Sequence, residues 1–298
     1  MKRVLITGAG GGIGRSLRET LRGVYPILRL SDRVALAPAR EGEEVDRTEL
    51  SDMPAVEQMV AGVDGIIHLG GISGENEWPV ILEGNIIGLY NVFEAARRAG
   101  VQRIVFATSN HAVGFYPRAQ KIDHRVVPRP DSRYGVSKAF GEALASLYSD
   151  KHGIGVLCTR IGNFGEKPID KRRLSIWISP RDYTQLVRIG LEHPDIRYEI
   201  VYGVSNNRRS WYDNSNATRL GYRPQDGFRA LCRCGARRRS GPAGRRDRRA
   251  LPRRHLLRRR IHCKDAAPVR AATAATAPPL VGGRVRLCRP RPLWAARR

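Results

Sequence analysis

Residues 2–21 read KRVLITGAGGGIGRSLRETL, and this stretch decides the fold. It opens with a short apolar run, which is typical of a buried parallel strand, and it ends with a helical pattern. In the turn between them, Gly8 lets the chain reverse sharply because it has no Cβ. Gly11 lets the backbone approach a diphosphate, and Gly14 lets the new helix pack against the strand. Strand, glycine turn and helix in this order predict a dinucleotide-binding unit, with the phosphates at the helix N-terminus.

The length and hydropathy of the chain limit the classes of protein to which it can belong. Its 298 residues suffice for one large or two small domains. No apolar run reaches the roughly 18 residues that a membrane-spanning helix needs. The N-terminal apolar run leads into glycines rather than into a signal-peptide cleavage site. We therefore expect a cytoplasmic enzyme with no membrane contact.

The net charge of +25 is unevenly distributed along the chain. Residues 1–229 hold 32 Lys and Arg against 26 Asp and Glu, which gives +6, whereas residues 230–298 hold 21 against 2, which gives +19. Four of the five cysteines also lie in the second part. This change of composition predicts a folded domain over residues 1–229 and an aberrant arginine-rich tail over residues 230–298. We expect the tail to be disordered, because it has too little apolar content to form a core.

Three interpretations of the tail compete. A basic arm would bind nucleic acid or another polyanion. Cys232, Cys234 and Cys263 could ligate a metal together with nearby histidines, but their spacing does not match a structural zinc site, so we expect no metal. A shifted reading frame of a GC-rich gene would also explain why arginine, alanine, proline and glycine dominate. We favour the shifted frame over nucleic-acid binding.

Strands and helices alternate along most of the chain. Beyond the first unit, predicted strands occupy residues 26–30, 44–45, 64–69, 103–107 and 156–161, and predicted helices occupy residues 53–60, 85–99 and 131–148. This alternation predicts an α/β fold, namely a Rossmann-type doubly wound parallel sheet with helices on both faces. A small substrate-binding part is expected over residues 163–215.

Residues that follow the predicted strands are candidates for the cofactor site. Asp32 ends the second strand, where a carboxylate accepts hydrogen bonds from ribose hydroxyls and repels a 2′-phosphate, so it favours NAD over NADP. Arg33 follows directly and could offset this preference. Gly70 and Gly71 end the fourth strand, where they would let a dinucleotide pass close to the backbone. His68, inside that strand, is expected to belong to the core.

Tyr134 and Lys138 carry the predicted chemistry. Positions four residues apart lie on one face of a helix, so the phenol and the ammonium can point the same way. An unperturbed tyrosine has a pKa near 10, and a nearby positive charge favours the phenolate. Tyr134 could then act as a general base on a substrate hydroxyl while a hydride leaves the same carbon. Ser109, at the end of the fifth strand, could hydrogen-bond that hydroxyl.

Several motifs of the chain resemble a known family. TGAGGGIG at residues 7–14 and YGVSK at residues 134–138 resemble the extended, NAD-binding type of the short-chain dehydrogenase/reductase superfamily. The resemblance narrows to the uronate dehydrogenase family through four further segments: HLGGIS at 68–73, GNIIGLYN at 84–91, SNH at 109–111 and RLSIW at 173–177. It covers residues 1–226. After Asp226 that family would continue with an acidic amphipathic helix, which this chain lacks, and this difference supports the shifted-frame interpretation.

The resemblance implies an activity and a set of roles. That family oxidises the C1 hydroxyl of a cyclic uronic acid, such as glucuronate or galacturonate, to an aldaro-lactone and reduces NAD. It implies Tyr134 as the base, Lys138 on the nicotinamide ribose and Ser109 on the reacting oxygen. Arg173 would bind the substrate carboxylate, since a guanidinium fork matches a carboxylate bidentately. The sugar would be hydrogen-bonded by Ser73, Asn110, His111 and Asn163, the last standing where the family usually has serine.

The cofactor site implied by the resemblance extends the glycine turn. Its members are Gly8, Gly11, Gly12, Ile13, Gly14, Asp32, Glu49, Leu50, Leu69, Gly70, Gly71, Asn85, Lys138 and Ile161, with Glu49 where an aspartate is usual. A nucleotide-sugar epimerase or dehydratase would use the same Tyr–Lys pair. A non-catalytic NAD-binding protein is a further alternative, against which the intact Ser109, Tyr134 and Lys138 argue. The expected partner is a small-molecule uronic acid, and a homo-oligomer is compatible with the sequence.

Overall fold

The computed structural model describes residues 1–170 and 172–227. The predictions made for residues 230–298 lie outside the described residues. No helix among the described residues has both the length and the apolar character that crossing a membrane requires.

Nine strands form two sheets in the described part of the chain. The strands are β1 (Arg3–Thr7), β2 (Ile27–Asp32), β3 (Glu43–Arg47), β4 (Gly65–His68), β5 (Arg103–Ser109), β6 (Gly155–Ile161), β7 (Asn163–Phe164), β8 (Trp177–Ile178) and β9 (Tyr198–Gly203). Seven of them make one parallel sheet in the order β3-β2-β1-β4-β5-β6-β9, and β7 pairs with β8. The strand order reverses between β1 and β4, which is where open parallel sheets bind ligands.

Helices connect the strands. They are α1 (Gly12–Thr20), α2 (Met53–Val60), α3 (Trp78–Ile81), α4 (Gly88–Arg98), α5 (Arg133–His152), α6 (Arg173–Ile176), α7 (Pro180–Glu192) and α8 (Ser215–Arg219). A π-helical segment, Leu82–Ile87, precedes α4, and a 3₁₀ turn, Asn110–Val113, follows β5. The predicted doubly wound α/β fold is confirmed.

Most predicted elements are present with shifted ends. The helix predicted over residues 53–60 has the predicted bounds. The helix predicted over residues 85–99 starts as the π segment, so its regular part is shorter. Elements beyond β6 were not predicted, although Ser179 caps α7 by accepting a hydrogen bond from Asp182 N at 3.1 Å. A serine followed by proline is a helix-start signal.

The core lies on both faces of the sheet. Along β1, Val4 and Ile6 belong to the cluster that packs with α1 and α7, whereas Leu5 belongs to the cluster that packs with α2 and α4. All three side chains are fully buried. A strand covered on both faces therefore reads as a continuous apolar run, which is why β1 could be predicted from the sequence.

Two glycines of the first turn allow backbone segments to touch. Gly8 has φ +70°, and a Cβ there would lie 2.8 Å from Gly70 N. A Cβ on Gly14 would lie 2.4 Å from Gly8 O. By contrast, a Cβ on Gly12 would meet nothing within 4 Å. Gly8 and Gly14 therefore serve packing, whereas Gly12 leaves open space.

This difference gives a matched pair of variants. We expect Gly14→Ala to lower the free energy of unfolding by about 1–3 kcal/mol, because the added methyl overpacks against backbone that cannot rotate away. Gly12→Ala should leave that free energy nearly unchanged, since its methyl has room. Urea unfolding of both variants checks this expectation. Equal losses in the two variants would contradict the packing role of Gly14.

Candidate active site

A cavity of about 580 Å³ opens at the carboxyl ends of the central strands. Residues at or just beyond the ends of β1, β2, β4, β5 and β6 line it. Most predicted site residues lie in its wall, namely Gly8, Gly11, Gly12, Ile13, Gly14, Asp32, Glu49, Leu50, Leu69, Gly70, Gly71, Ser73, Ser109, His111, Tyr134, Lys138, Ile161 and Asn163. The structure thus brings residues from the whole length of the domain into one cavity.

Three predicted site residues are not in the cavity wall. Asn85 instead fixes the loop after β4, because its side chain accepts from Ile72 N at 2.7 Å and donates to Ile72 O at 3.0 Å. Asn110 is buried in the 3₁₀ turn, where its Oδ1 lies 3.3 Å from Ser109 Oγ. Arg173 begins α6 and forms an ion pair with Asp170, with 3.6 Å between Nη1 and Oδ2.

The α1 end of the cavity is built from backbone groups. Gly11 stands at the N-cap of α1 without a side-chain cap, and the first turn of α1 carries no acidic residue. Asp32 is held in place at the end of β2, since its carboxylate accepts from Gly10 N at 2.9 Å and from Val34 N at 3.2 Å. Ser31 Oγ, in the same wall, is buried and has no hydrogen-bond partner in the described structure. Exposed N–H groups, a fixed carboxylate and an unsatisfied hydroxyl together fit a dinucleotide.

The Tyr–Lys pair sits at the other end of the cavity. Lys138 Nζ donates to Ala107 O at 2.9 Å and lies 5.5 Å from the centre of the Tyr134 ring. Burial lowers the pKa of Lys138 to about 8. Burial also raises the pKa of Tyr134, and a hydrogen bond with Ser109 opposes that rise. From the sequence we expected the ammonium to lower the pKa of this tyrosine, whereas in the structure burial raises it and the hydrogen bond with Ser109 is the opposing effect.

A buried ion pair lies behind this end of the site. Glu142, one turn after Lys138, accepts two hydrogen bonds from Arg160, at 2.9 Å from Nε and 2.8 Å from Nη2. Thr108 Oγ1 donates to the same carboxylate at 3.1 Å. Since Thr108 precedes Ser109 in β5, the pair joins α5 to β5 and β6 at the cavity. This pair could not be predicted, because nothing in a single sequence links a helical glutamate to an arginine 18 residues later.

His68 belongs to the core, as predicted. It is buried, its Nδ1 lies 2.8 Å from Thr7 Oγ1, and its ring stacks on Phe106 with centroids 5.6 Å apart. Burial lowers the pKa of His68 to about 3. The ring is therefore neutral at physiological pH and has a packing role.

Sequence reasoning missed several residues of the cavity wall. Each of the missed residues adjoins a predicted strand end or a predicted site residue, and they are Thr7, Ser31, Thr48, Ile72, Gly74, Gly84, Ala107, Thr108, Gly162 and Phe164. If the candidate site had included the residues directly beside each predicted strand end, many of them would have been identified. Phe164 belongs to β7, a strand of two residues that carries no periodic signal.

The glycine turn, the fixed carboxylate and the buried Tyr–Lys pair define a Rossmann-type dinucleotide-dependent oxidoreductase. The model of the NAD dependent epimerase/dehydratase family matches residues 4–213. The chain therefore belongs to the NAD dependent epimerase/dehydratase family.

Individual relatives are more specific. Uronate dehydrogenase of Pseudomonas syringae pv. tomato is 48% identical over 225 residues, which are 75% of this chain and 82% of the relative. Uronate dehydrogenase of Agrobacterium fabrum is 48% identical over 233 residues, which are 78% and 88% of the two chains. The crystal structure of uronate dehydrogenase from Agrobacterium tumefaciens has a TM-score of 0.76 at 46% identity, and the match covers 83% of this chain and 92% of that one.

The buried lysine makes stability depend on pH. Because the pKa of Lys138 falls from 10.5 in an unfolded chain to about 8 in the folded protein, the unfolded state binds more protons between these values. The free energy of unfolding should therefore rise by about 3 kcal/mol from pH 8 to 10.5 through this group alone. The measurement is the difference between wild type and Lys138→Met in urea unfolding at each pH, which cancels the titration of other groups. A difference that stays constant across this range would contradict the burial of a charged lysine.

Proposed function

We propose that this chain catalyses the NAD-dependent oxidation of a hexuronic acid, such as glucuronate or galacturonate, at C1 to the aldaro-lactone. The observation that carries the proposal is the placement of Ser109, Tyr134 and Lys138 in one cavity with the glycine turn. Uronate dehydrogenases that are 48% identical to this chain support the substrate class. A crystal structure of the Agrobacterium tumefaciens enzyme complexed with NAD supports the cofactor.

The residues around the glycine turn fit the cofactor. N–H groups at Gly12 and Ile13 would hold the diphosphate, and Asp32 would accept hydrogen bonds from the adenosine ribose. When bound, NAD supplies the acceptor for the hydride that leaves C1. Because a side chain on Gly12 would project into open space of the cavity, Gly12 is the position where bare backbone serves binding rather than packing.

Tyr134 removes the proton from the C1 hydroxyl as a phenolate, after its own proton has passed to solvent. Its phenol is protonated in the free protein, since burial raises its pKa. Ser109 hydrogen-bonds the same reacting oxygen and, by its hydrogen bond to Tyr134, favours the phenolate. Lys138 holds the nicotinamide ribose and adds a positive charge 5.5 Å from the Tyr134 ring. Together these two residues counteract the effect of burial when the base must accept a proton.

The remaining polar groups orient the sugar. Ser73, His111 and Asn163 line the same cavity as Tyr134, so they are placed to contact sugar hydroxyls. Asn110, from the adjacent 3₁₀ turn, belongs to the same proposal. Arg173 binds the substrate carboxylate, which replaces Asp170 as the partner of the guanidinium. The pair of Arg173 with Asp170 is exposed to solvent and contributes little stability.

The proposal also covers the location and the oligomeric state of the protein. The protein is proposed to be cytoplasmic. A homo-oligomer is supported by a set of exposed apolar side chains on the π segment, α4 and α5, at Ile87, Tyr90, Val136, Phe140 and Leu147. Light scattering of the purified chain measures its oligomeric state.

Turnover tests the proposed function directly. We expect NADH absorbance to rise with free glucuronate or galacturonate and NAD. We expect chromatography to show that UDP-sugars, which an epimerase or dehydratase would convert without net formation of NADH, are not converted. Tyr134→Phe should abolish turnover, since the general base is lost, and should leave the Kd for NAD nearly unchanged. Activity on UDP-sugars alone would contradict the proposal, and so would a fully active Tyr134→Phe variant.

A second variant tests the carboxylate site. We expect Arg173→Ala to raise KM for galacturonate by about 10- to 100-fold, because a hydrogen bond between charged groups contributes about 1.5–3 kcal/mol. Any activity on the neutral sugar galactose should be unchanged in the same variant. Steady-state kinetics with both sugars makes the comparison, and Arg181→Ala on α7 serves as a matched loss of charge. An equal loss on both sugars would show that Arg173 does not recognise the carboxylate.

A further inference from the structure

His111 is contacted by an acidic residue that lies outside the cavity wall. The imidazole lines the cavity and packs edge-on against the ring of Tyr134, with centroids 5.7 Å apart. Its Nδ1 lies 2.8 Å from Oδ1 of Asp131. Since Asp131 engages Nδ1, Nε2 remains the ring nitrogen that is available to a ligand.

Two glycines make room for this contact. A Cβ on Gly114 would lie 2.0 Å from Oδ2 of Asp131, so the carboxylate occupies the space that a side chain at 114 would fill. A Cβ on Gly135 would lie 2.4 Å from His111 O. The backbone adds a direct link, because Asp131 N donates to His111 O at 3.2 Å. The imidazole and the carboxylate are therefore held together by packing as well as by their own hydrogen bond.

The same carboxylate oxygen is tied to the helix that carries the base. Ser132 Oγ donates to Asp131 Oδ1 at 3.0 Å and accepts from Gly135 N at 3.0 Å as the N-cap of α5. Tyr134 lies in the first turn of α5. Asp131 thus connects His111 to the start of the helix that places Tyr134 in the cavity.

We infer that Asp131 is a positioning residue, which fixes His111 with its hydrogen on Nδ1 so that Nε2 accepts a hydrogen bond from a sugar hydroxyl next to Tyr134. The inference deepens the proposed function and rests on it, because it requires a sugar in this cavity. An ionised carboxylate can only accept hydrogen bonds, so the imidazole must donate from Nδ1. In a neutral imidazole the hydrogen bond at one nitrogen determines what the other can do.

Kinetics of three variants separate positioning from stability. Asp131→Asn removes the charge, and Gly114→Ala pushes the carboxylate aside without changing a polar group. Both should lower kcat/KM for galacturonate by about 10-fold or more, the scale on which residues that orient a binding histidine act, and both should leave the Kd for NAD unchanged. Ser179→Ala is the control, because it removes a helix cap, that of α7, and touches neither His111 nor Asp131. It should lower Tm by about 3 °C and leave kcat/KM nearly unchanged.

A double-mutant comparison tests whether Asp131 acts through His111. In a His111→Ala background, Asp131→Asn should cause no further loss of kcat/KM, since the group to be positioned is already absent. Losses that add fully in the double variant would overturn the inference, and so would full activity of both Asp131→Asn and Gly114→Ala.

Nitrogen NMR of isotope-labelled histidine tests the tautomer without relying on turnover. The wild-type protein should carry the His111 hydrogen on Nδ1, and Gly114→Ala should lower that fraction. A wild-type ring with its hydrogen on Nε2 would overturn the inference. If the hydrogen is on Nδ1 but uronates are not oxidised, the proposed function fails while the positioning of His111 by Asp131 stands.

Discussion

The structure depends on a contact of backbone with backbone at the end of β1. The turn that starts at Gly8 touches the backbone of Gly70 at the end of β4, and the start of α1 at Gly14 touches Gly8 O. Only glycine permits these approaches, because any Cβ at Gly8 or Gly14 would overlap main-chain atoms that cannot rotate away. As a result the cavity wall at this end consists of amide groups instead of side chains. The N-terminus of α1 and the Asp32 carboxylate, held by Gly10 N, are thereby fixed in relation to each other.

A second constraint comes from burying charge at the other end of the cavity. Glu142 is satisfied by Arg160 and Thr108, so its charge is compensated where it lies. Lys138 has the Ala107 carbonyl, a neutral partner, and burial lowers its pKa to about 8. One face of α5 thus carries Glu142, whose charge is fully paired, and Lys138, whose charge has no ionic partner among the described residues. The incompletely compensated group is the one that faces the cavity, where a perturbed pKa is typical of a functional residue.

The sequence predicted much of this arrangement because its signals are local. Continuous apolar runs identify the central strands, and the glycine turn fixes the first strand–helix unit. Residues at strand ends could be assigned to one cavity, since parallel strands end at the same edge of the sheet. Among the elements after β6, the segments β7, β8 and α6 are too short to show a period. The longer helix α7 was not predicted although a serine followed by proline marks its start. The contact of His111 with Asp131 escaped for another reason: it joins two loops 20 residues apart, and the room for it depends on Gly114.

The electrostatics around Arg173 limit how much affinity the proposed carboxylate contact can supply. Arg173 already has a carboxylate partner in Asp170, so binding a uronate there exchanges one carboxylate for another. An exposed pair of this kind contributes roughly 0–1 kcal/mol, which makes the exchange nearly free in either direction. Tight binding therefore requires a better geometry than Asp170 offers, such as a bidentate contact. Under the proposed roles, Ser73, His111 and Asn163 contact the sugar hydroxyls and place the sugar so that its carboxylate meets the Arg173 guanidinium in that geometry. Recognition of the substrate charge therefore depends on how these contacts position the sugar ring.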